Sequence, residues 1–312
     1  MVEQLPSAAI GNDYVRIEVH ACGVNFADSL IVRGLYQTKP TLPFVPGFEV
    51  AGQIVEVGPD VNDFNIGDRV MGILPWGGFA DEAVLPQSNV FRIPDRMDYV
   101  TAASFPIAYG TSYGALAWRG RLQPGEVLLV HGAAGGVGLT AVEIGKAMGA
   151  TVIATASSPL KLELARHHGA DHVIDYTRED LRKRVLSLTD GLGADVIYDP
   201  VGGDVFDISM RCVASEGRIV VIGFASGRVP QVPANILLVK NVDVIGFYWG
   251  YYRMNRPEWV HQTFKTLFDW FELGKIKPHV SKVFNLSEAR DAIELLSRRK
   301  STGKVVLVTG RV

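Results

Sequence analysis

From Tyr14 to about Leu85 the apolar residues come in short runs broken by glycine and proline. YVRIEVHACGV alternates in part, and GFEVAGQIVEVG is strand-like with glycines at its bends. DFNIGDRVMGIL turns at Gly67-Asp68, and GFADEAVL reads as a further strand. Short strands with this punctuation predict a small β-barrel or sandwich. One short helix is expected near Ser29–Leu35, with Asp28 as its N-cap. Residues 98–120 place Tyr99, Ala102 and Phe105 at helical spacing, with Pro106 breaking or kinking the run.

The rhythm then changes. VLLV is followed by a helix with Val137, Ala141, Ile144 and Met148 on one stripe, closed by Gly149. TVIATA is a strand, Ser158 caps a helix that opens on Pro159, and Gly169 ends it. HVIDY follows, then Thr177 as a cap and LRKRVLSL as a helix. ADVIYD, GRIVVIGF and VDVIGFYW complete the strands of this region. Alternating strand and helix predicts a doubly wound parallel sheet. An aromatic-rich helix around His261–Leu273, KVFNLSEARDAIELL and a last strand KVVLVTG close the chain. The expected division is 1–104 for a β domain and 105–252 for a nucleotide-binding domain. Residues 253–312 are expected to form a linking helix and a return to the first domain, and a cleft between two such domains is a common ligand site.

The composition narrows the function classes. The chain has 312 residues, 47% of them hydrophobic, and a formal net charge of −2. That balance offers no basic excess for nucleic acid or an anionic membrane. Two cysteines, Cys22 and Cys212, argue against a disulfide framework and cannot alone complete a four-ligand zinc site. No apolar run approaches ~18 residues, and the N-terminus lacks the basic and apolar blocks of a signal peptide. A cytoplasmic location is the default expectation.

The chemistry concentrates in EVLLVHGAAGGVG, from Glu126 to Gly138. A buried strand entering a helix through a tight glycine turn leaves backbone N–H groups and the positive helix end facing one point, which suits a diphosphate. The turn lacks the central glycine of a strict G-x-G-x-x-G, so the strand–turn–helix context carries the reading. An NAD site places Asp or Glu at the end of the second strand. Here that strand ends Ala154-Thr155-Ala156-Ser157-Ser158, so a 2′-phosphate meets no carboxylate. Ser157, Lys161 and Tyr176 are candidates to hold it, and NADP(H) is the expected cofactor. Helix capping explains Ser158 without a ligand.

ACGVNFADSLIVRGLY, LPFVPGFEVAGQIVEVG, FNIGDRV, VHGAAGGVG, YDPVGGDVF, VVIGFASG and TGKVVLV together resemble the medium-chain dehydrogenase/reductase superfamily. The resemblance is to its zinc-independent quinone oxidoreductase branch, which includes zeta-crystallin. It implies a GroES-like β-barrel catalytic domain joined to a Rossmann domain. Zinc alcohol dehydrogenases of the superfamily place a Cys near Asn25 and a His in a Gly-His-Glu motif. Here those positions hold Asn25 and Phe48, with Glu49 retained, and no metal is expected. Without a Lewis acid the acceptor must take hydride unaided. A quinone or a conjugated enone does so.

Carried over, the resemblance implies Asn25 and Tyr36 as the catalytic candidates and, with Thr111, as nicotinamide neighbours. Gly135, Gly136 and Val137 would hold the diphosphate. Gly202, Phe224, Phe247 and Trp249 would line the rest, with Arg299 or Lys304 from the C-terminal segment. Domain packing explains the aromatics equally well. A second cleft tyrosine of several family members is Leu30 here. The resemblance also implies an extra strand pair at the start of the family's chains, which is expected to be missing here through truncation or a different start. Alternatives are a 2-enoyl-thioester reductase, for which the Arg253, Arg256 and Lys275 region is suggestive, and a low-turnover NADPH-binding protein of the crystallin or RNA-binding kind. The apolar last Rossmann strand and the resemblance imply a homodimer with continuous sheets.

Overall fold

The computed structural model describes residues 3–311. The chain divides into two compact units. The first holds residues up to Ala108, Arg253–Phe268 and the stretch from Pro278 on; the second holds Tyr109–Tyr252 and Asp269–Lys277.

In the first unit, β1 (Tyr14–Val24) leads into α1 (Phe26–Ile31), followed by β2 (Glu49–Val57), β3 (Arg69–Ile73), β4 (Glu82–Pro86), β5 (Val90–Arg92) and α2 (Tyr99–Ala103). Val15, Ile17 and Val19 are fully buried, so the period of two in β1 aims one face at the core. The helix lies earlier than the sequence pattern suggests. Asn25 takes the N-cap position, and Asp28, expected there, sits in the first turn and accepts from the Asn25 N–H at 2.7 Å. Carboxylates favour both positions, which makes the two hard to separate by residue type.

α3 (Pro106–Tyr113) opens on its proline, where the missing N–H costs nothing, and runs into a π-helical turn over Gly114–Arg119. The alternating region follows as β6 (Val127–Val130), α4 (Gly136–Ala147), β7 (Thr151–Ala156), α5 (Pro159–His167), β8 (His172–Asp175) and α6 (Leu181–Leu188). It continues as β9 (Ala194–Asp199), α7 (Gly203–Cys212), β10 (Val213–Val221), α8 (Ala234–Lys240) and β11 (Asp243–Gly246). The six strands form one parallel sheet in the order β11-β10-β9-β6-β7-β8. Chain order reverses between β6 and β9, the point where such sheets take ligands. Two local expectations change. Asp180, not Thr177, caps α6 by accepting from Lys183 N, because Thr177 is held by Asp175. β11 ends at Gly246, and Trp249 already starts α9 (Trp249–Asn255).

α10 (Pro257–Glu272), β12 (Val280–Asn285), α11 (Ala289–Ser297) and β13 (Lys304–Val308) complete the chain. β13 pairs antiparallel with β1, setting Cys22 opposite Leu307 and Val24 opposite Val305, and β12 runs parallel to β13. The C-terminal strands thus finish the seven-stranded sheet of the first unit. Among the described residues, no helix is long and apolar enough to cross a membrane.

Candidate active site

The glycine turn of the second unit is held from three sides. His131 leaves β6 fully buried, with Nδ1 3.1 Å from Thr155 Oγ1 and Nε2 2.8 Å from Ser209 Oγ. Burial pushes its imidazole below the ordinary value, while Asp199 pulls the other way. Gly132 adopts φ +57°, a left-handed conformation that favours glycine. The Gly135 N–H donates to Gly132 O at 2.9 Å, and Gly135 is the N-cap of α4. Ser112 Oγ joins Val137 O, Thr140 Oγ1 and Tyr198 OH at 2.8–2.9 Å, binding α3 and β9 to the first turn of α4.

The amides free to meet a ligand are therefore those of Gly136, Val137 and Gly138, which have no partner inside the helix. Gly135 spends its own within the turn, so its part is to shape the turn rather than to donate. Gly138, absent from the sequence-derived set, packs tightly on the turn: a Cβ there would lie 2.2 Å from Gly132 O. A twelve-residue helix adds its positive end to these donors.

At the end of β7, Ser158 Oγ accepts from Lys161 N at 3.5 Å, which places Lys161 in the first turn of α5. Ser157 and Lys161 are half-buried and Tyr176 is exposed. Asp175, next to Tyr176, is turned to Thr177 N and Oγ1 at 3.0 and 2.6 Å, which with Arg178 holds it below its ordinary value. After β9, Asp199 Oδ1 accepts from Val201 N and Gly202 N, and Gly202 takes φ +66°. Asp199 Oδ2 is buried and has no hydrogen-bond partner among the described residues. A sugar hydroxyl would satisfy it. The donors, the missing carboxylate and this orphaned acceptor fit a dinucleotide.

The remaining sequence-derived candidates of this unit separate. Phe224 is exposed beside Gly202. Thr111 is buried on α3. Phe247 and Trp249 are buried in an aromatic cluster with Trp118 and Tyr252, at ring distances of 5.2–6.5 Å.

In the first unit, the residues around Asn25 form a buried polar cluster that sequence reasoning reached only in part. Lys304 Nζ donates to Asn25 Oδ1 at 2.6 Å, Glu49 Oε1 at 2.7 Å and Val24 O at 3.1 Å. Asn25 Nδ2 donates to Glu49 Oε1 at 2.7 Å, and Glu49 Oε2 accepts from Ile107 N at 2.8 Å. Asp28 accepts from Asn25 N and Gly47 N. Burial raises its carboxyl to about 7 against those bonds and the Lys304 charge. The Lys304 ammonium spends its three hydrogens on these acceptors. Tyr36 is half-buried, its ring 5.4 Å from that of Phe48. Leu30 is half-buried on α1, and Arg299 is exposed with φ +56° just beyond α11.

Residues 11–95 match the family described as alcohol dehydrogenase GroES-like domain, and residues 136–272 match that described as zinc-binding dehydrogenase. A quinone oxidoreductase-like protein 2 homolog of Nematostella vectensis is 46% identical over 303 residues, covering 96% of this chain and 83% of that protein. A quinone oxidoreductase structure from Pseudomonas syringae superposes with a TM-score of 0.92 at 37% identity, covering 98% of this chain and 94% of that one. An Escherichia coli quinone oxidoreductase complexed with NADPH gives 0.92 at 33% identity, with the same coverage. The chain belongs to the zinc-independent quinone oxidoreductase branch of the medium-chain dehydrogenase/reductase superfamily.

As a member of that branch it is an oxidoreductase. Its donor set around Asn25 does not fit zinc, although the second family is described as zinc-binding dehydrogenase. Phe48 has no ligating atom, and the oxygens of Asn25, Glu49 and Val24 already surround a lysine ammonium.

Proposed function

We propose that this chain is an NADPH-dependent reductase that transfers hydride, without zinc, to a quinone or an α,β-unsaturated carbonyl. The observation that carries the cofactor half is the N-terminus of α4, with three unspent amides and no carboxylate at the end of β7. Gly136, Val137 and Gly138 would bind the diphosphate, with Gly135 shaping the turn. Ser157, Lys161 and Tyr176 would hold the 2′-phosphate, and Asp199 would accept a sugar hydroxyl. When bound, NADPH supplies the hydride from C4 of its nicotinamide ring.

The acceptor half rests on chemistry. With no donor set for a Lewis acid, a simple ketone lacks its polarising group, whereas a quinone or enone spreads the incoming charge over a conjugated system. Asn25 would donate an N–H to the acceptor oxygen, and the Tyr36 hydroxyl is a second candidate donor in the same unit. Solvent delivers the proton. β11 is an edge strand of its sheet, and a homodimer through that strand belongs to this reading.

The test is NADPH oxidation over small quinones, alkenals and enoyl thioesters, with NADH in parallel. Turnover of quinones or alkenals, with NADPH preferred by about tenfold or more, is the expected outcome. Exclusive turnover of enoyl thioesters would replace the acceptor assignment. NADPH binding without oxidation of any acceptor would remove the reductase reading.

A further inference from the structure

The Asn25 carboxamide lies between two groups of opposite character. Its Oδ1 faces the Lys304 ammonium at 2.6 Å, and its Nδ2 faces the Glu49 carboxylate at 2.7 Å. An ammonium has only hydrogens to give, and a carboxylate only lone pairs. Turning the amide over would set NH₂ against NH₃⁺ and C=O against COO⁻, so the chemistry of the neighbours fixes its direction. Neither neighbour is free to swing. Lys304 opens β13 and also holds Val24 O, while Glu49 opens β2 and also accepts from Ile107 N. Both strands pair with β1, which ends at the residue before Asn25.

Packing alone does not account for this arrangement. Glu49 is fully buried and Lys304 nearly so. A buried ion pair is often no more stabilising than apolar residues of the same volume. What the pair does achieve is orientation. One hydrogen of Asn25 Nδ2 is spent on Glu49, and the second has no partner among the described residues. An ammonium on Oδ1 also polarises the amide and strengthens that remaining donor.

We infer that Lys304 and Glu49 are positioning residues that fix Asn25 as a one-way hydrogen-bond donor, aimed at a carbonyl oxygen of the hydride acceptor. The inference rests on the reading that Asn25 meets that oxygen. It restricts the substrates to those whose reacting double bond is conjugated to a lone-pair-bearing oxygen, and it gives Lys304 a role away from the cofactor.

The test compares full-length N25A, K304M, the N25A/K304M double variant and E49Q in reduction of a small benzoquinone by NADPH. NADPH affinity is measured by fluorescence titration, and folding by circular dichroism. N25A should lower kcat by about 10²-fold, as expected for loss of one preorganised donor, with NADPH Kd little changed. K304M should lower kcat by roughly tenfold or more, and the double variant should be no worse than N25A alone, because coupled residues are not additive. E49Q keeps the side-chain volume but can give or take a hydrogen bond, so kcat should again fall by about tenfold even if K304M fails to fold. An unchanged kcat in N25A would remove the reading of Asn25 itself. Loss in N25A, with either wild-type kcat in K304M and E49Q or multiplying losses in the double variant, would leave that reading standing and overturn the positioning role. A large rise in NADPH Kd in N25A would assign the amide to the cofactor and overturn it as well.

Discussion

Gly138→Ala probes the geometry of the phosphate turn directly. The added Cβ would lie 2.2 Å from Gly132 O, 2.8 Å from Gly132 C and 2.9 Å from Ala133 Cα, all backbone atoms. Opening the first contact to the ~3.3 Å of a close C···O approach needs a displacement of about 1 Å. No flexible side chain can absorb it, so the turn and the start of α4 must separate. Overpacking costs about 1–3 kcal/mol, offset by the ~1 kcal/mol that alanine gains over glycine inside a helix. The stability loss should therefore be modest, whereas the three α4 amides move by up to the full displacement. Misplacement by about 1 Å can cost ~10²-fold where binding geometry is demanding. The assay is NADPH fluorescence titration beside a thermal melt. The expected result is a Kd raised at least tenfold with a small fall in Tm. Gly135→Ala serves as the steric contrast, since its nearest obstacle is Gly132 O at 3.3 Å and its φ is −81°. Gly138→Ala with unchanged NADPH affinity would refute the assignment of these amides to the diphosphate.

Two further outcomes follow from the same unit. Lys161→Ala should weaken NADPH by about tenfold, the loss of one charge-assisted phosphate contact, and leave NADH binding unchanged; equal weakening of both would move Lys161 away from the 2′-phosphate. The His131 imidazole, held below its ordinary value mainly by burial, stays neutral in the folded chain while the unfolded chain takes up a proton near pH 6.5. The folded value is the lower one, so the unfolded state binds more protons as pH falls, and stability drops below that pH by up to about 1.4 kcal/mol per pH unit. Urea unfolding between pH 7 and 5 should show a shallower pH dependence in His131→Asn than in the parent chain, and identical slopes would count against a neutral buried imidazole.

What could be read from the sequence was local. The glycine turn and the β7 end are short stretches in which strand, turn and cap residues follow one another, so their roles show in residue order alone. Even there, residue types cannot say that the Gly135 amide is spent on Gly132 O. The apolar run VDVIGFYW reads as one strand, yet it breaks at Gly246 because Phe247 and Trp249 join the cluster around Trp118. That is a tertiary preference with no signature in the run itself.

The Asn25 cluster was the least legible part, for a physical reason. Lys304 lies 279 residues from Asn25 and 255 from Glu49 in the chain, and only the pairing of β13 and β2 with β1 brings them together. A lysine opening an apolar strand otherwise reads as a solvated end. The same topology explains why Asn25 has a single orientation. Its cap position fixes the backbone and Lys304 and Glu49 fix the amide, a link that the sequence does not show. The function proposed for Asn25 therefore depends less on its own identity than on two distant charges of opposite sign, and that dependence is what the N25A/K304M comparison measures.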